Sequence, residues 1–388
     1  MVGLAAWLLW SGSPASGEAT VVAGAASSVA PLPTPASATR PVLAPFSASG
    51  AQTRAAQREL WQQRLERAQG TLEAYRRSTR YPFESQPIAD HPDQVFPNQP
   101  ISEEHALRMP GARAGAGLRL HTMQERVFVQ GQETVRFSVS VRDDAGRALP
   151  LRVLRASARE LPPPQLGPTY PEQPMNFNDE GAAGDSAAGD GVYGAQLQPA
   201  QGFAGLFGQI RVEVALQVRD QQGFTYFDIV YTPEPPARWS GGVREAMEEG
   251  SLSFYLKAEV RQAGRYVITG RIDDANGKPF ALLGFNEELA MGPQDIRLRL
   301  FGKLVRDGKP AFPLTLRDVD GFLLRADAFP DRMLMPRLAG SVYTSRDHAL
   351  ASFSEAEWSS EERGRYLAEL TRDVDEARSR FDQLQRGP

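Results

Sequence analysis

The stretch NFNDEGAAGDSAAGDGVYG, residues 176–194, gathers four acidic residues, two Asn and five Gly into one short run. Asn178, Asp179, Asp185 and Asp190 are hard oxygen donors on a backbone that glycine allows to fold back on itself. Ca2+ takes roughly six to eight such ligands from carboxylates, amides and carbonyls, so these four residues form a candidate calcium site. The spacing departs from the EF-hand loop, which needs donors at alternating positions and a terminal Glu. A second reading needs no ion: Asp190-Gly191 begins a hairpin, and Val192 and Tyr193 start the next strand. The residues fit both a calcium loop and a pair of tight turns. RDVDGF at 317–322 reads as a similar, weaker acidic turn.

Catalytic patterns are otherwise missing. The chain has no Gly-x-Ser-x-Gly elbow, no His-Glu-x-x-His and no phosphate-binding Gly-Lys-Ser or Gly-Lys-Thr, and GAGLRL at 115–120 fails the dinucleotide pattern at its third glycine. With no Cys, disulfides, thiolate metal sites and thiol nucleophiles are excluded. The four His, at 91, 105, 121 and 348, are scattered beyond helical ligand spacing. Glu248 with Glu249 and Glu287 with Glu288 are adjacent acids, which in a strand point to opposite faces. A net charge of −4 and a pI near 5.8 do not suit a chain built to neutralise phosphates, so nucleic acid is not an expected partner. These observations predict a non-enzymatic protein without a cofactor beyond the candidate Ca2+. A hydrolase assembled from distant residues is an alternative.

The elements that must hold the acidic stretch read as strands. Val135, Phe137, Val139 and Val141 alternate with polar residues, as do Ile210, Val212, Val214 and Leu216. A second β region opens after PEPPARWSGG and runs to about 330. VRDDAGRALPL at 141–151 and RIDDANGKPFAL at 271–282 echo one another as strand, acidic turn with glycine, and return strand. Many short strands without intervening helical patterns predict a mainly β fold of two Ig-like β-sandwich domains. A helix flanks them at each end. Near the start, Trp61, Leu65, Ala68, Leu72 and Tyr75 form a 4-3-4-3 stripe. Near the end, Ser354 or Ser360 can cap a helix whose face carries Trp358, Tyr366, Leu367, Leu370, Val374, Ala377 and Phe381.

The predicted organisation is therefore as follows in chain order. Residues 1–20 are an apolar export signal or membrane anchor, too short to span a bilayer and lacking a basic flank, which places the true start upstream. A Pro/Ala/Ser-rich tether occupies 21–51, a helix 52–79 and a Pro-rich linker 80–116. The first β-sandwich takes 117–235, the second 236–340, and a helical segment 341–388.

NDEGAAGDSAAGDGVYGAQL, ending in Gly-Asp-Gly-Val-Tyr, resembles the Asp- and Gly-rich signature of the bacterial choice-of-anchor X domain proteins. LEAYRRSTRYPFESQPIADHPDQVFPN and SVYTSRDHALASFSEAEW are similar to flanks seen in such proteins. The resemblance implies an envelope or surface protein with β-sandwich modules, of undefined molecular role, and brings no catalytic residues. With the apolar start and the tether, it predicts a periplasmic or inner-membrane-anchored protein facing the periplasm. Its partner would be another envelope protein or a glycan. Phe254, Tyr255, Tyr226, Phe227 and Trp239 are the aromatic residues from which a carbohydrate- or peptidoglycan-binding platform would be built, against the reading that they form core.

Overall fold

Alternation of apolar and polar residues decides most of the architecture. In Val135–Asp143 every second residue is buried, and Val135, Phe137, Val139 and Val141 are the ones that face inward. Gly208–Val218 repeats the pattern, with Ile210, Val212, Val214, Leu216 and Val218 sealed from solvent. The computed structural model describes residues 50–388 apart from 110–112, 163–168 and 387–388, and the chain is mainly β over that range. The predicted signal and almost all of the predicted tether lie outside the described residues. No helix among the described residues is long and apolar enough to cross a membrane.

The first β region is one curled ten-stranded sheet. Its path runs from Ala148–Leu149 through Val135–Asp143, Arg113–Gln124, Ile101–Met109, Gln221–Thr232, Gly208–Val218 and Arg152–Leu161 to Gln173–Pro174. Two strands branch from it. Tyr193–Leu197 pairs with Val135–Asp143, and Phe128–Gln130 pairs in parallel with the end of Gln221–Thr232. The curl brings the two wings face to face, so that Phe137 of one meets Phe227 of the other with ring centroids 5.0 Å apart. Their inward residues form one core, which includes Leu120, Val139, Ile210, Val214 and Ile229.

The second β region uses two sheets. A four-stranded sheet centres on Ser251–Val260, flanked by Gly292–Leu300 on one edge and by Ala237–Trp239 and Arg244–Glu248 on the other. The six-stranded sheet places Pro279–Leu289, Gly264–Asp273 and Thr315–Leu324 side by side. Between them lies a separate core containing Phe254, Leu256, Tyr266, Ile268, Leu283, Leu298 and Leu316.

The segment from 80 to 116 does more than link. Ser85–Pro87 adds an edge strand to the six-stranded sheet opposite Ala281–Leu283, and Ile101–Met109 is a strand of the ten-stranded sheet. Proline punctuation hid both: Pro87 ends the edge strand, where a missing N–H is tolerated, and prolines at 100 and 110 bracket Ile101–Met109. Between them, Arg271 of the second region is 1% exposed and clasps the segment. Its guanidinium donates to the Gln94 carbonyl at 3.1 Å, the Gln94 side chain at 3.0 Å, the Asp318 carbonyl at 2.6 Å and Asp320 at 2.5 Å. Arg317 extends the network to Asp273 at 2.6 Å and the Val95 carbonyl at 2.9 Å. RDVDGF is consequently not a turn. It lies inside the strand Thr315–Leu324, where three of its charged side chains are held in this network.

The echoed motifs form one kind of turn, but in shifted frames. Asp143 accepts N–H groups from Ala145 and Arg147, and Asp274 accepts them from Asn276 and Lys278. The first Asp of one Asp-Asp pair therefore matches the second Asp of the other. Gly146 and Gly277 take positive φ, at 77° and 74°.

The N-terminal helix spans Gly50–Ser78, and Trp61, Leu65, Ala68, Leu72 and Tyr75 are its less exposed stripe. Gly70 does not break it. The C-terminal helix spans Glu361–Arg386 and starts at Ser360, whose hydroxyl accepts the Arg363 N–H at 3.1 Å. Val374 and Ala377 of its predicted face are buried, whereas Tyr366 is 53% exposed and meets Tyr75 with ring centroids 5.8 Å apart.

Candidate metal centre

The acidic loop is held against the sheet by backbone crossing backbone. Asn178 pairs with Gly194 in both directions, N–H to carbonyl, at 3.0 and 2.9 Å. A Cβ at Gly194 would fall 2.4 Å from the Asp185 Cα, and one at Gly184 would fall 2.3 Å from the Ala195 carbonyl carbon. Only glycine permits this approach, and it presses the Asp185 turn onto the edge strand Tyr193–Leu197. Gly181, Gly184, Gly189 and Gly191 all take positive φ, as does Ala183 at 51°. The five glycines of the run thus serve geometry, and Val192 and Tyr193 lead into a strand as the sequence predicts.

The three predicted aspartate donors converge. Asp179, Asp185 and Asp190 each bring a carboxylate oxygen within 4.8 Å of the others. Oxygens on opposite sides of a calcium ion stand about 4.6–5.2 Å apart, since each bond is roughly 2.3–2.6 Å. One ion can therefore touch all three. The Asn178 side chain shapes the loop, donating to the Ala182 carbonyl at 3.2 Å and accepting the Glu180 N–H at 3.1 Å.

The carboxylates are preset by the loop's own amides. Asp179 accepts N–H groups from Gly189, Asp190 and Gly191 at 2.8, 3.1 and 3.1 Å. Asp190 accepts the Val192 N–H at 2.8 Å. Asp185 Oδ2 accepts the Gly181 N–H at 2.6 Å, but Asp185 Oδ1 is buried without any hydrogen-bond partner. That oxygen matters most, because the residue is only 8% exposed. A buried charged oxygen without a partner is costly, and a cation is the partner that three converging carboxylates would select. An all-oxygen donor set of irregular geometry suits Ca2+ better than Zn2+, which prefers nitrogen and sulfur, or Mg2+, which demands a near-ideal octahedron. Residues 178, 179, 185 and 190 are legible in the sequence as donors. The roles of Gly184 and Gly194 are not, since only their crossing gives them meaning.

Of the five aromatic residues named for a sugar platform, two are buried in core. Phe227 and Phe254 are core, and Trp239 donates its indole N–H to the Pro336 carbonyl at 2.6 Å. Tyr226 is exposed, yet Arg211 lies 4.1 Å from its ring centroid and Arg108 5.4 Å. Tyr255 carries Arg244 at 3.7 Å and donates its hydroxyl to Glu248. Two faces on which a sugar would stack thus already carry guanidinium groups. Of the scattered histidines, His121 pairs with Glu104 at 3.3 Å and His348 with Glu245 at 3.2 Å.

No family model and no curated protein matches this chain. Among solved structures it is similar to a DUF4785 family protein from Legionella pneumophila at 14% identity, covering 59% of this chain and 56% of that one, with a TM-score of 0.38. The native conformation of E. coli alpha-2-macroglobulin matches 61% of this chain with 15% of its own length at 14% identity, with a TM-score of 0.28. The adhesin InvE of Yersinia pseudotuberculosis matches at 11% identity over 58% of each chain, with a TM-score of 0.19. These likenesses assign no family to the chain.

Proposed function

We propose that this chain is a non-enzymatic β-sandwich protein of the bacterial cell envelope, with two Ig-like units, whose acidic loop is locked by a calcium ion. The reading is carried by the unpartnered Asp185 Oδ1 inside a cluster of three carboxylates. Bound there, the ion would supply charge neutralisation and rigidity to the loop next to strand Tyr193–Leu197, not chemistry at a substrate. The two separate cores, one from Leu107 to Tyr231 and one from Ala237 to Phe353, support the two-unit plan. The choice-of-anchor X resemblance, the apolar start and the tether support export to the periplasm or anchoring in the inner membrane. The partner would be an envelope protein, with a glycan as the alternative.

Thermal unfolding of the full chain, stripped with chelator and then titrated with calcium, tests the site. A ligand that binds only the native state stabilises it by about 2.7 kcal/mol at 100 times its dissociation constant. The expected result is a saturable rise in Tm that magnesium at the same concentration does not match and that Asp185→Asn or Asp190→Asn removes. An unchanged Tm at millimolar calcium would leave the loop as tight turns. Fractionation of the native host that finds the protein in the cytosol would overturn the envelope assignment.

A further inference from the structure

A second site lies where the two terminal helices meet. A cleft of about 520 Å3 is lined by Glu73, Arg76, Arg77 and Arg80 from the first helix and the residues just after it, and by Glu357, Arg363 and Leu367 around the start of the second. Four guanidiniums face two carboxylates there, in a chain whose net charge is −4. Arg76 and Arg77 suit the negative end of their helix dipole and need no other explanation. Arg363 is different. It occupies the third position of the C-terminal helix, at the positive end of that dipole, and is only 9% exposed. A cation buried at the positive end of a helix, beside three further arginines, is held in the wrong field. Its protein partners are modest: Thr79 at 3.2 Å and the mostly exposed Glu357 at 3.2 Å, with no acceptor for Nη1 among the described residues. Arg80 pairs with Asp307 at 2.8 Å, and Arg76 and Arg77 form no ion pair among the described residues.

A neighbouring cleft gives the contrast. It is lined by Lys303, Arg306, Asp307, Lys309, Leu350 and Glu355, but there Lys303 pairs with Asp307 and Arg306 with Glu355. That cleft pairs two of its three cations, whereas in the first Arg76 and Arg77 are left without an ion pair among the described residues.

We propose that the cleft between the terminal helices binds a phosphate-bearing anion through Arg76, Arg77 and Arg363. Guanidinium forks match phosphate oxygens in pairs, and the cleft has room for a phosphate carrying an organic group. A free phosphomonoester and a phospholipid headgroup share this chemistry. The full chain is titrated with inorganic phosphate at constant ionic strength, and binding is followed by calorimetry and by Tm. It is also sedimented with vesicles of phosphatidylglycerol and, separately, of phosphatidylcholine. The N-terminal apolar run would bind both vesicles alike, so the readout is the difference between them.

The expected result is saturable phosphate binding, weakened at least tenfold in the Arg76→Gln/Arg77→Gln double variant, with both side chains exposed and the fold unaffected. A phosphatidylglycerol preference that the same variant abolishes, without binding of free phosphate, assigns the site to a lipid headgroup. Binding of phosphate without that preference assigns it to a soluble phosphate. Failure to bind either, or equal binding by the double variant, overturns the proposal. The Asp190→Asn loop variant must leave phosphate binding unchanged, which separates this site from the metal loop.

Discussion

Replacing Arg271 should be among the most damaging single changes in the second β region. The side chain is 1% exposed and makes four hydrogen bonds, two of them to Gln94 and one each to the Asp318 carbonyl and the Asp320 carboxylate. Removing the guanidinium leaves the buried Gln94 acceptors facing a void, while Asp320, whose side chain is 33% exposed, loses its charged partner but can turn to water. Asp320 keeps only its bond from Thr269 at 3.0 Å. Losing one partner of a fully buried charged pair costs about 3–5 kcal/mol. Because Asp320 is partly solvated, the loss here should lie at the lower end, about 3 kcal/mol, most of it from the buried Gln94 acceptors. Arg271→Ala should therefore shift the folded-to-unfolded ratio by two decades or more. Arg271→Met separates the causes, because it fills most of the volume without any donor. If orphaned acceptors carry the loss, Met and Ala should differ by less than about 1.5 kcal/mol. Equilibrium urea unfolding, read from tryptophan fluorescence, measures both; Trp239 packs against the core concerned. Limited proteolysis between 88 and 100 should accelerate in step. A loss under about 1 kcal/mol for Ala, or nearly full rescue by Met, would refute the argument that polar acceptors make this residue indispensable.

Other outcomes follow from the same structure. Gly194→Ala places a methyl 2.4 Å from the Asp185 Cα, so the loop must lift; its calcium response should vanish and Tm fall. Gly191→Ala meets nothing within 4 Å and should cost only about 1–2 kcal/mol for its positive φ, a contrast that differential scanning calorimetry resolves. Burial, and for Tyr81 a hydrogen bond to Asp307, push the phenols of Tyr81 and Tyr266 up to about 12. Their neutral forms stabilise the fold fully below the unfolded value near 10 and lose that contribution as pH climbs through 12. Phenolate absorbance should accordingly show Tyr81 and Tyr266 ionising last of the ten tyrosines, behind Tyr75, Tyr231, Tyr255 and Tyr343, whose phenols are also raised; early ionisation of all ten in the folded chain would contradict this. N–H bonds from Arg147 hold the Asp143 carboxyl below its ordinary value, and those from Lys278 and Asn276 do the same for Asp274, against the opposing effect of burial. Both contributions are present above the unfolded value near 4 and lost as pH falls through the folded one. Asp143→Asn and Asp274→Asn should each lower Tm at neutral pH, with the gap from wild type closing in acid.

Period-two alternation made the mainly β fold readable, since Val135 through Val141 and Ile210 through Leu216 face inward as the pattern requires. The helix stripes were readable for the same reason, at a different period. Two strands were not: Ser85–Pro87 is only three residues long, and Ile101–Met109, although inside the sheet, buries only Leu107 and so leaves no pattern. RDVDGF misled through composition: acidic residues near a glycine suggest a turn, but arginines distant in sequence, Arg271 above all, draw this run into a strand. Acidic donors at 179, 185 and 190 could be named from chemistry alone. Their convergence depends on Gly184 and Gly194 passing a neighbouring backbone, a long-range contact that no local spacing encodes.

Ser85–Pro87 leaves the ribosome before the first β region begins, yet its hydrogen-bonding partner, Ala281–Leu283, emerges some two hundred residues later. Until then Ser85, fully buried and bonded to the Phe301 N–H at 2.9 Å in the finished protein, has nowhere to go. The first region can complete its sheet while this strand waits outside it, so synthesis order and assembly order part company at residue 100. A cut at 236 would not yield a self-sufficient second half. It would carry an open sheet edge and an arginine without its clasp, both supplied by residues translated first.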